Sequence, residues 1–195
     1  NIPAIIEGWY MGQETGTAAA DIIFGDVNPS GKLTITFPKS VGQVPMFYNF
    51  KPSAQLNDYI SMDNKPLYYF GYGLSYTTFR FSNLRLDKAK IRPDGSVKVK
   101  VDVTNSGKME GDEIVQMYIR DKFSSVTRPV KELKGFRRVS LKPKETKTVT
   151  LEIKPELLAF HDINMKYVVE PGDFEIMVGG SSRDEDLLKV NLTVG

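Results

Sequence analysis

From Phe79 onward, apolar side chains recur at every second position. Val97, Val99, Val101 and Val103 alternate with Lys98, Lys100, Asp102 and Thr104, the period of a strand with one covered face and one wet face. The run closes at Asn105-Ser106-Gly107, a turn signal. Further strand segments are predicted at 113–120, 131–139, 146–153, 174–178 and 187–194, spaced by turn clusters such as Lys142-Pro143-Lys144 and Glu170-Pro171-Gly172-Asp173. In the first strand, Phe79 and Phe81 share one parity while Leu84 and Leu86 share the other. A bulge near Ser82-Asn83 reconciles them, since a one-residue slip otherwise turns the second pair outward. About seven short strands over roughly 115 residues describe an immunoglobulin-like sandwich, here without the cysteine pair and core Trp of antibody domains.

The first 45 residues follow a different pattern, read as strand, helix, strand. Ala4, Ile5 and Ile6 predict the end of a buried strand, and 7–15 a loop. The segment TAAADIIF at 17–24 predicts a helix apolar on nearly every side, with Gly25 placed for a left-handed cap. In KLTITF, Leu33, Ile35 and Phe37 alternate with Lys32, Thr34 and Thr36 and predict a second strand. One greasy helix and two strands do not make an α/β domain, because a parallel sheet needs neighbours and cover on both faces. Residues 1–45 therefore read as the closing piece of a larger α/β domain, with apolar surface awaiting cover. Residues 46–78 are rich in Tyr, Phe, Asn, Pro and Gly without a sustained period. They read as an ordered linker whose rings pack on neighbouring units, since disordered tethers are poor in aromatics. Residues 79–195 form the sandwich domain.

Bulk composition narrows the function classes. Lys plus Arg number 26 against 24 Asp plus Glu, a net charge of +2 with both signs mixed along the chain, so no basic stripe points to nucleic acid. No apolar run approaches the roughly 20 residues that cross a bilayer, and no membrane contact is expected. The absence of cysteine removes disulfides and thiolate metal sites without fixing a compartment. The chain opens on Asn1 rather than Met, so a leader ahead of it is compatible with the sequence.

Glu7 and Glu14 flank Trp9 and are the carboxylates a scan for acid/base chemistry first selects. Glu14 is better read as a helix-entry residue, accepting backbone N–H groups and favoured by the helix dipole. Gly12 and Gly16 then serve loop geometry, since no phosphate-loop Lys follows. Trp9, the only Trp, is a candidate for stacking on a sugar ring or for sealing an interface, and Gln13 for a loop bond or a remote sugar contact. His161 reads as a turn residue, because no second His exists to build a metal site. The cluster Arg183-Asp184-Glu185-Asp186 reads as a solvated hairpin tip. Tyr68, Tyr69, Phe70, Tyr72 and Tyr76 form either a carbohydrate platform or buried packing, with burial the expectation.

Six segments in order, GWYMGQETGTAAADIIFGDVNPSGKLTITFP, SVGQVPMFYN, PLYYFGYGLSYTTF, VTNSGKMEGDEIVQMYIRD, RPVKELKGFRRV and EPGDFEIMVGGSS, closely resemble the C-terminal portion of glycoside hydrolase family 3, of the β-glucosidase and β-xylosidase type. The resemblance implies a three-part enzyme of barrel, α/β domain and fibronectin type III-like domain, with 1–45 closing the second part and 79–195 forming the third. The missing barrel and the rest of the α/β domain are then its partners. It implies a retaining, exo-acting β-glycosidase that hydrolyses non-reducing-end sugars of oligosaccharides, without cofactor or metal, secreted or periplasmic. Retention needs two carboxylates about 5 Å apart, which in the family lie upstream of the motifs present here. No catalytic residue is therefore assigned to this chain, and alone it is expected to be inactive. Trp9 and Gln13 remain its candidate substrate contacts. Asp112 and Glu113 fall in a framework motif. The alternatives are a β-xylosidase of the same family and a stand-alone carbohydrate-binding or adhesion sandwich.

Overall fold

The computed structural model describes residues 2–52 and 62–195. Asn1 and the part of the expected linker at 53–61 lie outside the described residues. Among the described residues ten strands follow in order: β1 (Phe79–Leu86), β2 (Lys90–Ile91), β3 (Val97–Asn105), β4 (Gly111–Asp121), β5 (Glu132–Leu141), β6 (Thr146–Ile153), β7 (Phe160–His161), β8 (Tyr167–Val168), β9 (Gly172–Gly179) and β10 (Leu188–Val194). Strands β1-β3-β6 make one sheet, β2-β10-β9-β4-β5 the other, and β7-β8 a small hairpin. The seven long strands are those the periodicity predicts. The two-residue strands β2, β7 and β8 are too short to carry a period.

The alternation of β3 is realised in full: Val97, Val99, Val101 and Val103 are all buried. They face Val115, Met117, Ile176 and Leu192 of the opposite sheet in one continuous core, and each such side chain contributes about 1.5–3 kcal/mol on burial. The bulge expected in β1 is present. Its pairing with β3 shifts between Ser82 and Arg85, with Asn83 in the left-handed region at φ 51, which puts Phe79 and Phe81 on the same core as Leu84 and Leu86.

Strand β4 and the second half of β9 are buried on both faces, whereas β5 is not. Val115, Met117 and Ile119 enter the sandwich, while Tyr118 joins Met177 and Leu187 in a second, smaller core on the outer face. Tyr48 and Phe70 cover that outer core. Their rings stack at 4.2 Å, and Tyr48 meets Tyr118 edge-on at 5.9 Å. The aromatic-rich stretch therefore packs down on the sandwich.

Ahead of it, helix α1 (Thr15–Phe24) ends as expected at Gly25, in the left-handed region at φ 85 with its N–H on Ile22 O. The helix starts at Thr15 rather than at 17, preceded by a 3-10 turn at Gly12–Glu14. The two flanking strands differ from expectation. Residues 4–6 join no sheet, and 33–37 pair with 67–72 through five backbone bonds but only one isolated bridge, Phe37 to Tyr68. Alternation signals one covered face, and here that cover is a loop segment rather than neighbouring strands. Helix α1 contributes no buried residue: Ile23 is 65% and Phe24 81% exposed.

Candidate functional site

The loop before α1 gathers the residues singled out for carbohydrate chemistry. The Glu7 carboxylate accepts the Trp9 backbone N–H at 2.9 Å. That bond holds Trp9 at φ 50, a left-handed conformation uncommon for a bulky residue. The indole lies 6.3 Å from the Phe37 ring at a 49° tilt and remains 53% exposed. Gln13 sits exposed in the 3-10 turn. Glu14 does not cap α1 as expected, because no side-chain cap bond is made. The 3-10 turn already turns the chain into the helix, and the Thr15 hydroxyl donates to Gly12 O at 2.6 Å instead. Glu7 and Glu14 are both open to solvent, whereas acid/base carboxylates depend on burial or close charges to set their proton affinity.

Where the segment that follows α1 meets the sandwich, polar groups interlock. The Lys32 ammonium lies 2.8 Å from Glu113 Oε1, and the two side chains are only 16% and 7% exposed. Asn28 Nδ2 donates to Glu110 O at 2.9 Å, while its Oδ1 accepts the Ser75 hydroxyl and the Tyr76 N–H, each at 2.8 Å. Gln116 Nε2 donates to Gly71 O and Gly180 O. Lys32 and Asn28 carry no local mark of this role: both fall in the turn-forming NPSGKL segment, and their partners at 110 and 113 are brought near only by the fold.

The remaining candidates are structural. Asp112 pairs with Arg138, and its carboxyl is held low by the Ser140 hydrogen bond and then by that arginine. Tyr68 and Tyr72 stack on each other at 5.7 Å and are half-buried; Tyr76 stays exposed and donates its hydroxyl to Ile22 O. His161 is not a turn residue. It lies in β7, exposed, 5.0 Å from the Tyr167 ring, because the turn falls beyond it at 162–165. Among the described residues no cluster of three metal-capable side chains exists. The 183–186 cluster is more than a solvated tip. Buried Lys131 reaches Ser182 O and Asp184 Oδ1, both at 2.9 Å. Burial pushes the Asp184 carboxyl up, but Lys131 and Lys189 outweigh it and hold it low.

A cleft of about 220 Å³ opens at the β4–β5 loop, lined by Arg120, Asp121, Phe123, Thr127 and Arg128 among others. Asp121 Oδ1 and Arg128 Nε have no hydrogen-bond partner among the described residues. Both atoms are buried, so neither is compensated for the hydration it gives up on folding. Burial raises the Asp121 carboxyl, against the Phe123 N–H and Arg128. A raised folded-state value means that its contribution to stability is complete below the ordinary Asp range and is lost as pH rises through the folded value. Asp121→Asn is therefore expected to be more stable than the parent at about pH 7, with the difference vanishing below about pH 4; urea midpoints at the two pH values check this.

Residues 1–76 match the glycosyl hydrolase family 3 C-terminal domain and 113–182 the fibronectin type III-like domain. The chain matches the C-terminal portion of glycoside hydrolase family 3 enzymes. It is 51% identical over 197 residues to a β-xylosidase of Formosa agariphila, covering 100% of this chain and 27% of the relative. To a periplasmic β-glucosidase of Salmonella typhimurium it is 48% identical, covering 92% and 25%. A solved β-glucosidase of Erythrobacter marinus superposes with TM-score 0.95 at 42% identity, over 100% of this chain and 26% of that one. A β-glucosidase of Listeria innocua in complex with glucose gives 0.87 at 37%, over 97% and 27%. The chain thus spans about a quarter of the length of the relatives it matches. No helix among the described residues is long and apolar enough to cross a membrane.

Proposed function

We propose that this chain is the C-terminal part of a retaining, exo-acting β-glycosidase of the β-glucosidase type, working outside the cytoplasm on β-linked oligosaccharides. The catalytic carboxylates lie outside the chain, which scaffolds the domains that hold them. The observation that carries this reading is the apolar surface of α1, left open beside a sandwich whose own core is complete. In such an enzyme the missing barrel and the rest of the α/β domain cover that surface. Trp9 and Gln13 are its proposed substrate contacts: a half-open indole on a strained, carboxylate-braced backbone suits stacking on a sugar face. The closeness to the Formosa agariphila β-xylosidase supports xyloside hydrolysis as the second reading.

The test compares residues 1–195 alone with the longer protein carrying them, on aryl β-glucoside and aryl β-xyloside. The short chain is expected to give no turnover. The longer protein is expected to release the β-anomer first, with the preferred aryl glycoside deciding the sugar. Turnover by the short chain that Glu14→Gln abolishes would overturn the scaffold role.

A further inference from the structure

We infer that Glu113, Lys32 and Asn28 form a clasp through which the sandwich sets the orientation of α1, making them positioning residues for an active site assembled elsewhere in the enzyme. This rests on the function proposed above.

The clasp runs without a gap from β4 to the end of α1. Glu113 lies near the start of β4, its Oε1 shared between Lys32 Nζ and the Ile114 N–H, each at 2.8 Å. Lys32 follows the short stretch that leaves α1. Midway along that stretch, Asn28 bonds to Glu110 just ahead of β4, and to Ser75 and Tyr76 just ahead of β1. The Tyr76 hydroxyl then donates to Ile22 O in the last turn of α1. Two glycines permit the close approach. A Cβ on Gly111 would stand 2.6 Å from Asn28 Nδ2, and one on Gly73 2.3 Å from Gly31 O.

A buried ion pair is a poor source of net stability, since desolvating two charges consumes most of their attraction. What it supplies is direction: Lys32 and Glu113 are satisfied in one register of α1 against the sheet, whereas an apolar pair tolerates sliding. Misplacing a reacting group by about 1 Å can cost on the order of a hundredfold in rate. A sandwich residue remote from the chemistry can therefore change turnover through the register of α1.

The test uses the longer protein carrying this chain, with the variants Lys32→Met/Glu113→Leu and Glu113→Gln. The apolar pair keeps the volume without the charges, and the glutamine keeps the shape without the charge. Both are expected to have kcat lower by about tenfold or more with KM changed less than twofold, and faster amide exchange at Thr15–Phe24. Folded variants with parental kcat, KM and exchange overturn the clasp; should the double variant fail to fold, Glu113→Gln carries the same readouts. A parent protein inactive on both aryl glycosides sinks the functional reading instead. Exchange in α1 then decides by itself: faster exchange in the variants supports the clasp, and unchanged exchange refutes it.

Discussion

Asn105→Ala is expected to destabilise the chain by about 3–5 kcal/mol, lowering the melting midpoint by roughly 10–15 °C. Asn105 is fully buried at the end of β3. Its Nδ2 donates to Met109 O at 2.7 Å and Leu141 O at 3.0 Å, and its Oδ1 accepts the Thr77 hydroxyl at 2.6 Å and the Gly107 N–H at 3.1 Å. Four groups lose their partner at once. A buried polar group left unsatisfied costs about 1–3 kcal/mol, and water re-entering beside the 106–110 turn offsets part of that sum. The main chain of Asn105 also bonds to Glu145 and Lys144, so the residue joins the ends of both sheets to the segment that enters β1. Urea unfolding should show a lower midpoint with an unchanged slope. A loss under about 1 kcal/mol would mean that these bonds exchange freely with water.

Nothing local announces that hub. In the sequence, Asn105-Ser106-Gly107 is a turn signal, and it is a turn; what the side chain does is set by Thr77 and Leu141, brought near only by the folded topology. The same divide runs through the molecule. Strand parity and the β1 bulge depend on neighbours within a few residues, and both were legible. The double burial of β4 was not: Gln116 and Tyr118 occupy the parity a half-covered strand leaves to solvent, and only the aromatic segment folded over them makes them core. Gly25 was readable as a helix cap because the requirement is local to its own φ. Glu14 was misread because capping depends on the turn preceding the helix. Trp9 and Gln13 stand out by residue type alone and are proposals as substrate contacts, whereas Lys32 and Glu113 become a pair only across the seam.

Lysine at both Ile23 and Phe24 is expected to act with opposite sign in the two settings where it can be made. In residues 1–195 alone, the two side chains face solvent on the last turn of α1. Lysine is the better helix former of the three there and is favoured by the helix dipole at a C-terminus, an effect of about 0.3–1 kcal/mol. The unfolding midpoint of the sandwich should not fall, and the concentration at which the chain stays monodisperse should rise, since an exposed apolar patch has been removed. In the longer protein the same positions are expected to be core. Each lost side chain then removes about 1.5–3 kcal/mol of burial, and two ammonium groups must be accommodated in an apolar contact, which costs more still. A total of about 5 kcal/mol or more approaches the whole stability of a typical domain, so glycosidase activity and the folded α/β unit should be lost together. Differential scanning calorimetry of the two proteins, each with and without the substitutions, reads the sign directly. If the longer variant keeps both its melting profile and its turnover, α1 is a free surface in the complete enzyme and does not support the catalytic domains.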